Sequence, residues 1–211
     1  MKIQPTLLNG VFLIEPEFRF EDHRGEIFCI YQESSWLKTW NAMDSQQPVV
    51  EPPFIGYLRF KKDNFSVSIR NVLRGIHVSP DAWKLVTCVS GRIFLVVVDC
   101  RKTLHPKRVG LREYVALANP TFEKWVAFEL NDMEREQILV PPMCGLAHLV
   151  LSKQAIFYYK WSEGFDGDAQ ITFRYDDPRF GIKWPILHEL NCTTKENKII
   201  EPILSERDRC P

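Results

Sequence analysis

The chain carries no excess charge of either sign. Across 211 residues, 27 Lys and Arg balance 27 Asp and Glu. That excludes a protein held to nucleic acid mainly by phosphate neutralisation, though a local basic pocket for one diphosphate is compatible with it. No apolar run approaches the roughly 18 residues that a membrane-spanning helix requires. The first sixteen residues hold one Lys and one acid, Glu15, and lack an apolar core followed by a small-residue cleavage site, so no signal peptide is expected. The six cysteines (Cys29, Cys88, Cys100, Cys144, Cys192 and Cys210) form no CxxC pair, which removes zinc and redox motifs. Reduced thiols in a cytoplasm are the expectation, with Cys88 and Cys100 as small core residues. Internal repeats and low-complexity tracts are also missing.

A sustained helical period is missing too, apart from a short helix expected over 33–42. Strand signals take its place. Asn64–Val72, Leu85–Val89, Arg92–Asp99, Gln137–Val140, Ala147–Ser152 and Ala155–Trp161 are short, rich in Val, Ile and Phe, and separated by Gly, Pro, Asp or Asn. Many short strands at regular spacing predict an all-β antiparallel barrel or double-sheet jelly roll. The whole chain, 1–211, reads as a single domain. Residues 45–53 read as a polar, Pro-rich loop, 102–120 as a basic insertion between strands, and the chain from 186 as a polar C-terminal extension.

The local chemistry concentrates in NVLRGIHVSP, Asn71–Pro80. A strand ends at Arg74–Gly75 and His77 follows. Gly75 lets the backbone turn or approach a ligand. Arg74 offers a planar fork to phosphate or sugar oxygens. The histidine side chain is by nature ionisable near neutrality, which suits His77 to proton abstraction. An incidental His beside a solvated Arg is the plain alternative. Lys84 can stabilise a developing oxyanion. His148 lies inside an apolar strand, where a lone His is more often a hydrogen-bonded core residue than a ligand. Tyr158 and Tyr159 are adjacent, so one at most faces a barrel interior, where its hydroxyl can act as a general acid. His77 is followed by Val78 and Ser79 rather than by a second His one residue on, so the two-His metal pair of metal-dependent cupins is absent. His77 and His148 alone make a poor divalent site, and metal-free chemistry is expected.

Eight stretches together resemble one family, in the family's order: FEDHRGEIF, DNFSVSIRNVLRGIH, KLVTCVSGRIFLVVVDCR, NPTFEKW, GLAHLVL, AIFYYK, DDPRFGIKWP and LSERD. The chain resembles the dTDP-4-dehydrorhamnose 3,5-epimerase family over almost its whole length. That resemblance implies a cupin-type jelly-roll barrel with short peripheral helices, a homodimer, and no metal or redox cofactor. The implied substrate is a 4-keto-6-deoxy sugar on a nucleoside diphosphate, epimerised at C3 and/or C5. It implies His77 as the base beside the ketone, Asp208 as the carboxylate that orients it, Tyr159 as the acid on the opposite face, and Lys84 at the enolate oxygen. Arg24, Asn64 and Arg74 would hold the diphosphate and sugar, and His148 would line the pocket.

Five features depart from the family pattern. Cys29 stands where an acid is usual, Leu95 replaces an acid near the pocket, and Phe165 replaces a second tyrosine. Lys62 replaces a Gln, and the 102–120 insertion is extra. The catalytic positions are kept while the substrate shell has changed, which implies action on a different 4-keto sugar nucleotide. The competing readings are a 3,4-ketoisomerase, a non-catalytic sugar-nucleotide-binding cupin, and a metal-dependent cupin oxygenase. The binding cupin would not need His77, Tyr159 and Asp208 together.

Overall fold

Six consecutive apolar residues, Ile93–Val98, leave no polar face for solvent. A strand with that pattern must be covered on both sides. The computed structural model describes residues 1–16, 19–36, 58–108, 114–164, 169–185, 188–190, 197–199 and 201–210. It opens with β1 (Lys2–Pro5), β2 (Phe12–Glu15), β3 (Arg19–Asp22) and β4 (Gly25–Phe28). The long strands β5 (Lys62–Ile69), β6 (Leu73–Val78), β7 (Lys84–Ser90) and β8 (Arg92–Asp99) follow. Next come β9 (Thr103–Arg108), β10 (Tyr114–Ala118), β11 (Trp125–Asn131), β12 (Gln137–Val140), β13 (Cys144–Val150) and β14 (Gln154–Trp161). The short strands β15 (Ile171–Thr172), β16 (His188–Leu190) and β17 (Asn197–Ile199) lead to a helical turn, Glu206–Arg209.

Two antiparallel sheets face each other. One runs β1-β2-β12-β7-β14-β5, the other β11-β8-β13-β6-β15. Leu95 and Val97 point between the sheets, where they pack with Val86, Ile138, Val140 and Leu146. Val96 and Val98 point the other way and are covered by Phe180, Phe173, Ile182 and Trp184. On the far side, Leu85, Leu139, Phe12 and Ile14 are covered by Trp36, with Tyr31, Leu58 and Phe60 beside them. The jelly roll is therefore cored between its sheets and capped on both outer faces, as the apolar runs require.

Strands β9 and β10, within the stretch 102–120, pair as a hairpin, with 109–113 outside the described residues. Its base is closed by the buried Asp99 carboxylate. Asp99 accepts from Arg101, from Asn119 Nδ2 at 2.9 Å and from Thr121 Oγ1 at 2.7 Å. The expected helix is present over 33–36, while 37–42 and the 45–53 loop lie outside the described residues. Among the described residues no helix is long and apolar enough to cross a membrane.

Two expectations need correction. The strand containing Arg74 and Gly75 does not end there. The break falls earlier, at Asn71, whose φ of 69° suits the left-handed tolerance of Asn, and β6 then runs on through His77. The C-terminal segment is also not peripheral throughout. Residues 201–203 dock alongside the start of β6: Ile203 N–H donates to Asn71 O at 2.8 Å, Leu73 N–H to Ile203 O at 3.1 Å, and Asn71 Nδ2 to Glu201 O at 2.7 Å.

Candidate active site

Arg74 and His77 are three residues apart, which in a regular strand places them on opposite faces. Both line the same cavity. The ladder with β13 explains this: His77 pairs with Leu146 and Arg74 with His148, so two residues of β6, Gly75 and Ile76, stand against Ala147 alone. That is a β-bulge, which resets the facing of the strand. Only glycine fits it. Gly75 has φ +109°, and a Cβ there would come 2.4 Å from Leu146 O and 2.8 Å from Ala147 Cα.

The bulge turns His77 toward the docked C-terminal segment. His77 Nε2 lies 2.7 Å from Asp208 Oδ1. Ser205 caps the helical turn, accepting from the Asp208 amide at 3.2 Å and donating to Asp208 Oδ2 at 2.9 Å. The Asp208 side chain is 3% exposed. Burial pushes its carboxyl up, but hydrogen bonds from His77, Ser205 and the Gly75 amide outweigh this and leave it below the usual carboxylate range. An ionised carboxylate on one ring nitrogen fixes the orientation of His77 and leaves the other nitrogen to act.

The opposing sheet supplies the other wall. On β14, Phe157, Tyr159 and Trp161 share one face and line the cavity, while Tyr158 turns outward. Tyr158 stacks at 4.8 Å on Phe65, and its hydroxyl accepts from Lys160 Nζ at 3.1 Å. Burial raises the Tyr159 hydroxyl above its ordinary pKa, with Arg74 opposing, so it holds its proton at neutral pH. Lys62, Asn64 and Ser66 reach the cavity from β5, and Lys84 from β7. Burial pushes the Lys84 ammonium down to about 8.

The cavity encloses about 280 Å³. Lys62, Arg74 and Arg207 give it a basic lining, and no carboxylate is part of that lining among the described residues. Arg74 Nε is held by Ser68 Oγ at 3.1 Å, and Arg207 Nε by Thr172 Oγ1 at 2.9 Å. Such an arrangement suits a diphosphate. His148 also lines the cavity and stacks on Phe157 at 4.3 Å. Burial first, then the charges of Arg74 and His77, push its imidazole down to about 3, so it is neutral. Among the described residues no cluster of three or more His, Cys, Asp or Glu side chains could hold a metal ion.

The structure thus gathers His77, Lys84, Asn64, Arg74, His148 and Tyr159 on one cavity, with Asp208 directly behind His77. Arg24 stands apart. It occupies the exposed turn between β3 and β4, its guanidinium is engaged by Asp22, and it is not in the cavity wall. Leu95 is buried, Lys62 reaches the cavity, Cys29 is exposed, and Phe165 lies outside the described residues. Sequence reasoning missed Ser66, Leu146, Phe157, Trp161, Gln170 and Arg207. Period-two spacing from Tyr159 was signal enough for Phe157 and Trp161. Arg207 directly precedes Asp208.

A double-sheet barrel of this topology, with its polar cavity opening between the sheets, defines a cupin-type jelly roll. The family model described as dTDP-4-dehydrorhamnose 3,5-epimerase matches residues 5–210, and the chain belongs to that family. The dTDP-4-dehydrorhamnose 3,5-epimerase of Methanothermobacter thermautotrophicus is 31% identical over 97% of this chain and 89% of its own length. The dTDP-4-dehydrorhamnose 3-epimerase of Streptomyces niveus is 31% identical over 88% of this chain and 76% of its own. Among solved structures, the 3,5-epimerase of Legionella pneumophila in complex with dTDP-4-keto-L-rhamnose has a TM-score of 0.73. It is 26% identical, with 99% of this chain and 89% of that chain covered.

Proposed function

We propose that the chain epimerises a 4-keto-6-deoxy sugar carried on a nucleoside diphosphate, at C3, C5 or both. One observation carries the reading. His77, backed by Asp208 of the docked C-terminal turn, comes from one sheet and Tyr159 from the other, so a base and an acid face each other across one cavity. His77 takes the proton on the carbon beside the ketone. The electron pair moves onto the carbonyl oxygen, where the Lys84 ammonium stabilises the enolate. Tyr159 O–H returns a proton to the opposite face of that carbon, so the configuration inverts with no change of oxidation state. Lys62, Arg74 and Arg207 hold the diphosphate, while Asn64 and neutral His148 contact the sugar. The dTDP-linked sugars for which the relatives are named support dTDP as the nucleotide.

The test is NMR in deuterated water with dTDP-4-keto-6-deoxyglucose and related 4-keto sugars. Deuterium entering at C3 or C5 with inversion supports the reading, and the carbon that exchanges names the regiochemistry. A 3-keto product would replace it with the ketoisomerase reading, and no exchange with any sugar would favour the binding cupin.

We further propose a homodimer, in a reducing cytoplasm in keeping with the free thiols of Cys29, Cys88, Cys100, Cys144 and Cys210. Strand β5 is the edge of its sheet, yet its outward residues Phe65, Val67 and Ile69 are 64%, 56% and 59% exposed. An exposed apolar edge strand is a pairing surface, and a second copy covers it symmetrically. Val67→Lys places a charge at its centre. Light scattering after size exclusion is expected to show a dimer for the wild type and a monomer for the variant. A dimeric variant would move the interface elsewhere.

A further inference from the structure

Lys84 is 3% exposed, and among the described residues no carboxylate is paired with it. The Asp208 carboxylate is engaged by His77 and Ser205. Leu95 is buried on β8 directly opposite His148, so that stretch of the barrel offers an isobutyl group rather than an acid. Among the described residues, the other cavity-lining groups include no anion that could pair with Lys84. Lys62, Arg74 and Arg207 are positive, and His148 is neutral. Burial drives the Lys84 ammonium's pKa down, and the buried Cys144 thiol, itself pushed up by burial, opposes this as the smaller effect.

What faces the ammonium is a ring. Lys84 Nζ sits 4.7 Å from the centroid of Trp161. The contact is built into the ladder. Lys84 and Trp161 are direct partners across β7 and β14, so their side chains leave the sheet on the same face, into the cavity. The negative face of an indole is the strongest π partner for a cation, and its effect grows when water is excluded.

We propose that Trp161 is a positioning residue for Lys84: its ring stands in for a counter-ion, keeping the ammonium charged and held where the enolate oxygen develops. The role of Lys84 rests on the epimerase reading above. The Trp161–Lys84 coupling does not, and it has a readout of its own.

The experiment follows the ε-carbon signal of Lys84 by NMR in 13C-lysine-labelled protein without substrate, and alongside it the pH dependence of kcat. In the wild type, the Lys84 signal is expected to titrate at about 8, with kcat falling as pH rises through the same midpoint and the ammonium is lost. Trp161→Leu moves both midpoints down by about one unit, the size expected for a desolvated cation–π contact. Trp161→Phe keeps a ring and recovers most of the shift. If Trp161→Leu fails to fold, Trp161→Phe alone decides, with a downward shift of a few tenths of a unit expected for its weaker ring. Midpoints unchanged in a folded variant, with only a lower melting temperature, would overturn the proposal and leave Trp161 as packing. Failure of the epimerase reading looks different: the wild type would show no exchange at any pH, whatever Lys84 does.

Discussion

His77→Ala is expected to leave the barrel folded and to reduce deuterium exchange at every reacting carbon by about 10³-fold, within the range a positioned general base contributes. The variant leaves Asp208 with Ser205 and the Gly75 amide as partners, so the carboxylate keeps part of its hydrogen bonding. The stability lost is therefore about 1.5–3 kcal/mol, the cost of one hydrogen bond to a charged group. Asp208→Asn removes the charge while keeping the shape. It is expected to cost about 10²-fold, because the imidazolium formed on proton abstraction loses its counter-charge. The double variant is expected to be little worse than His77→Ala alone, since the two residues act as one unit. Exchange rates by NMR on all three variants, with melting curves beside them, check this. Multiplying penalties would mean that Asp208 acts independently of His77.

Gly75→Ala is expected to be strongly destabilising. The added Cβ would meet backbone atoms of β13, Leu146 O at 2.4 Å and Ala147 Cα at 2.8 Å, neither of which can rotate away. The φ of +109° adds strain that no L side chain tolerates well. Together these cost about 3 kcal/mol or more, which for a chain of this size lowers the melting temperature by roughly 10 °C. Relief requires straightening the bulge, and a straight β6 cannot aim Arg74 and His77 at the same cavity. Activity is therefore lost even where the variant folds. Gly164→Ala is the control: its Cβ meets nothing within 4 Å, and no change is expected. Differential scanning calorimetry with the exchange assay separates the two. A Gly75→Ala protein that melts normally and remains active would show that the bulge does not set the site.

The barrel was legible wherever local pattern and burial agree. Arg92–Asp99 and Gln137–Val140 have the bounds their apolar runs predict. Gly75 misled, because a glycine after a strand-like run reads as punctuation. Here it sits inside β6 as the bulge, and the actual break at Asn71 carries no stronger sequence signal. Alternation required Tyr158 and Tyr159 to diverge, but which one faces inward is set by how β14 registers against β5 and β7, and that is non-local. Asp208 is 131 residues from His77. Only family resemblance pointed to it, since nothing in LSERD itself marks a carboxylate bound for a distant strand. Arg24 is likewise named only by resemblance, and within the single chain it lies in an exposed turn beside Asp22 rather than in the cavity wall.

Proton transfer to two faces of one carbon is tested most directly by comparing wild type with Tyr159→Phe in deuterated water. Deuterium entry and inversion are followed at the same carbon by NMR. In the wild type the two are expected to proceed together. In Tyr159→Phe, His77 still removes and returns a proton on its own face, so deuterium enters with retained configuration while inversion falls by about 10²-fold. Undiminished inversion in Tyr159→Phe, or its loss in Tyr158→Phe instead, would contradict the assignment of acid and base to opposite sheets.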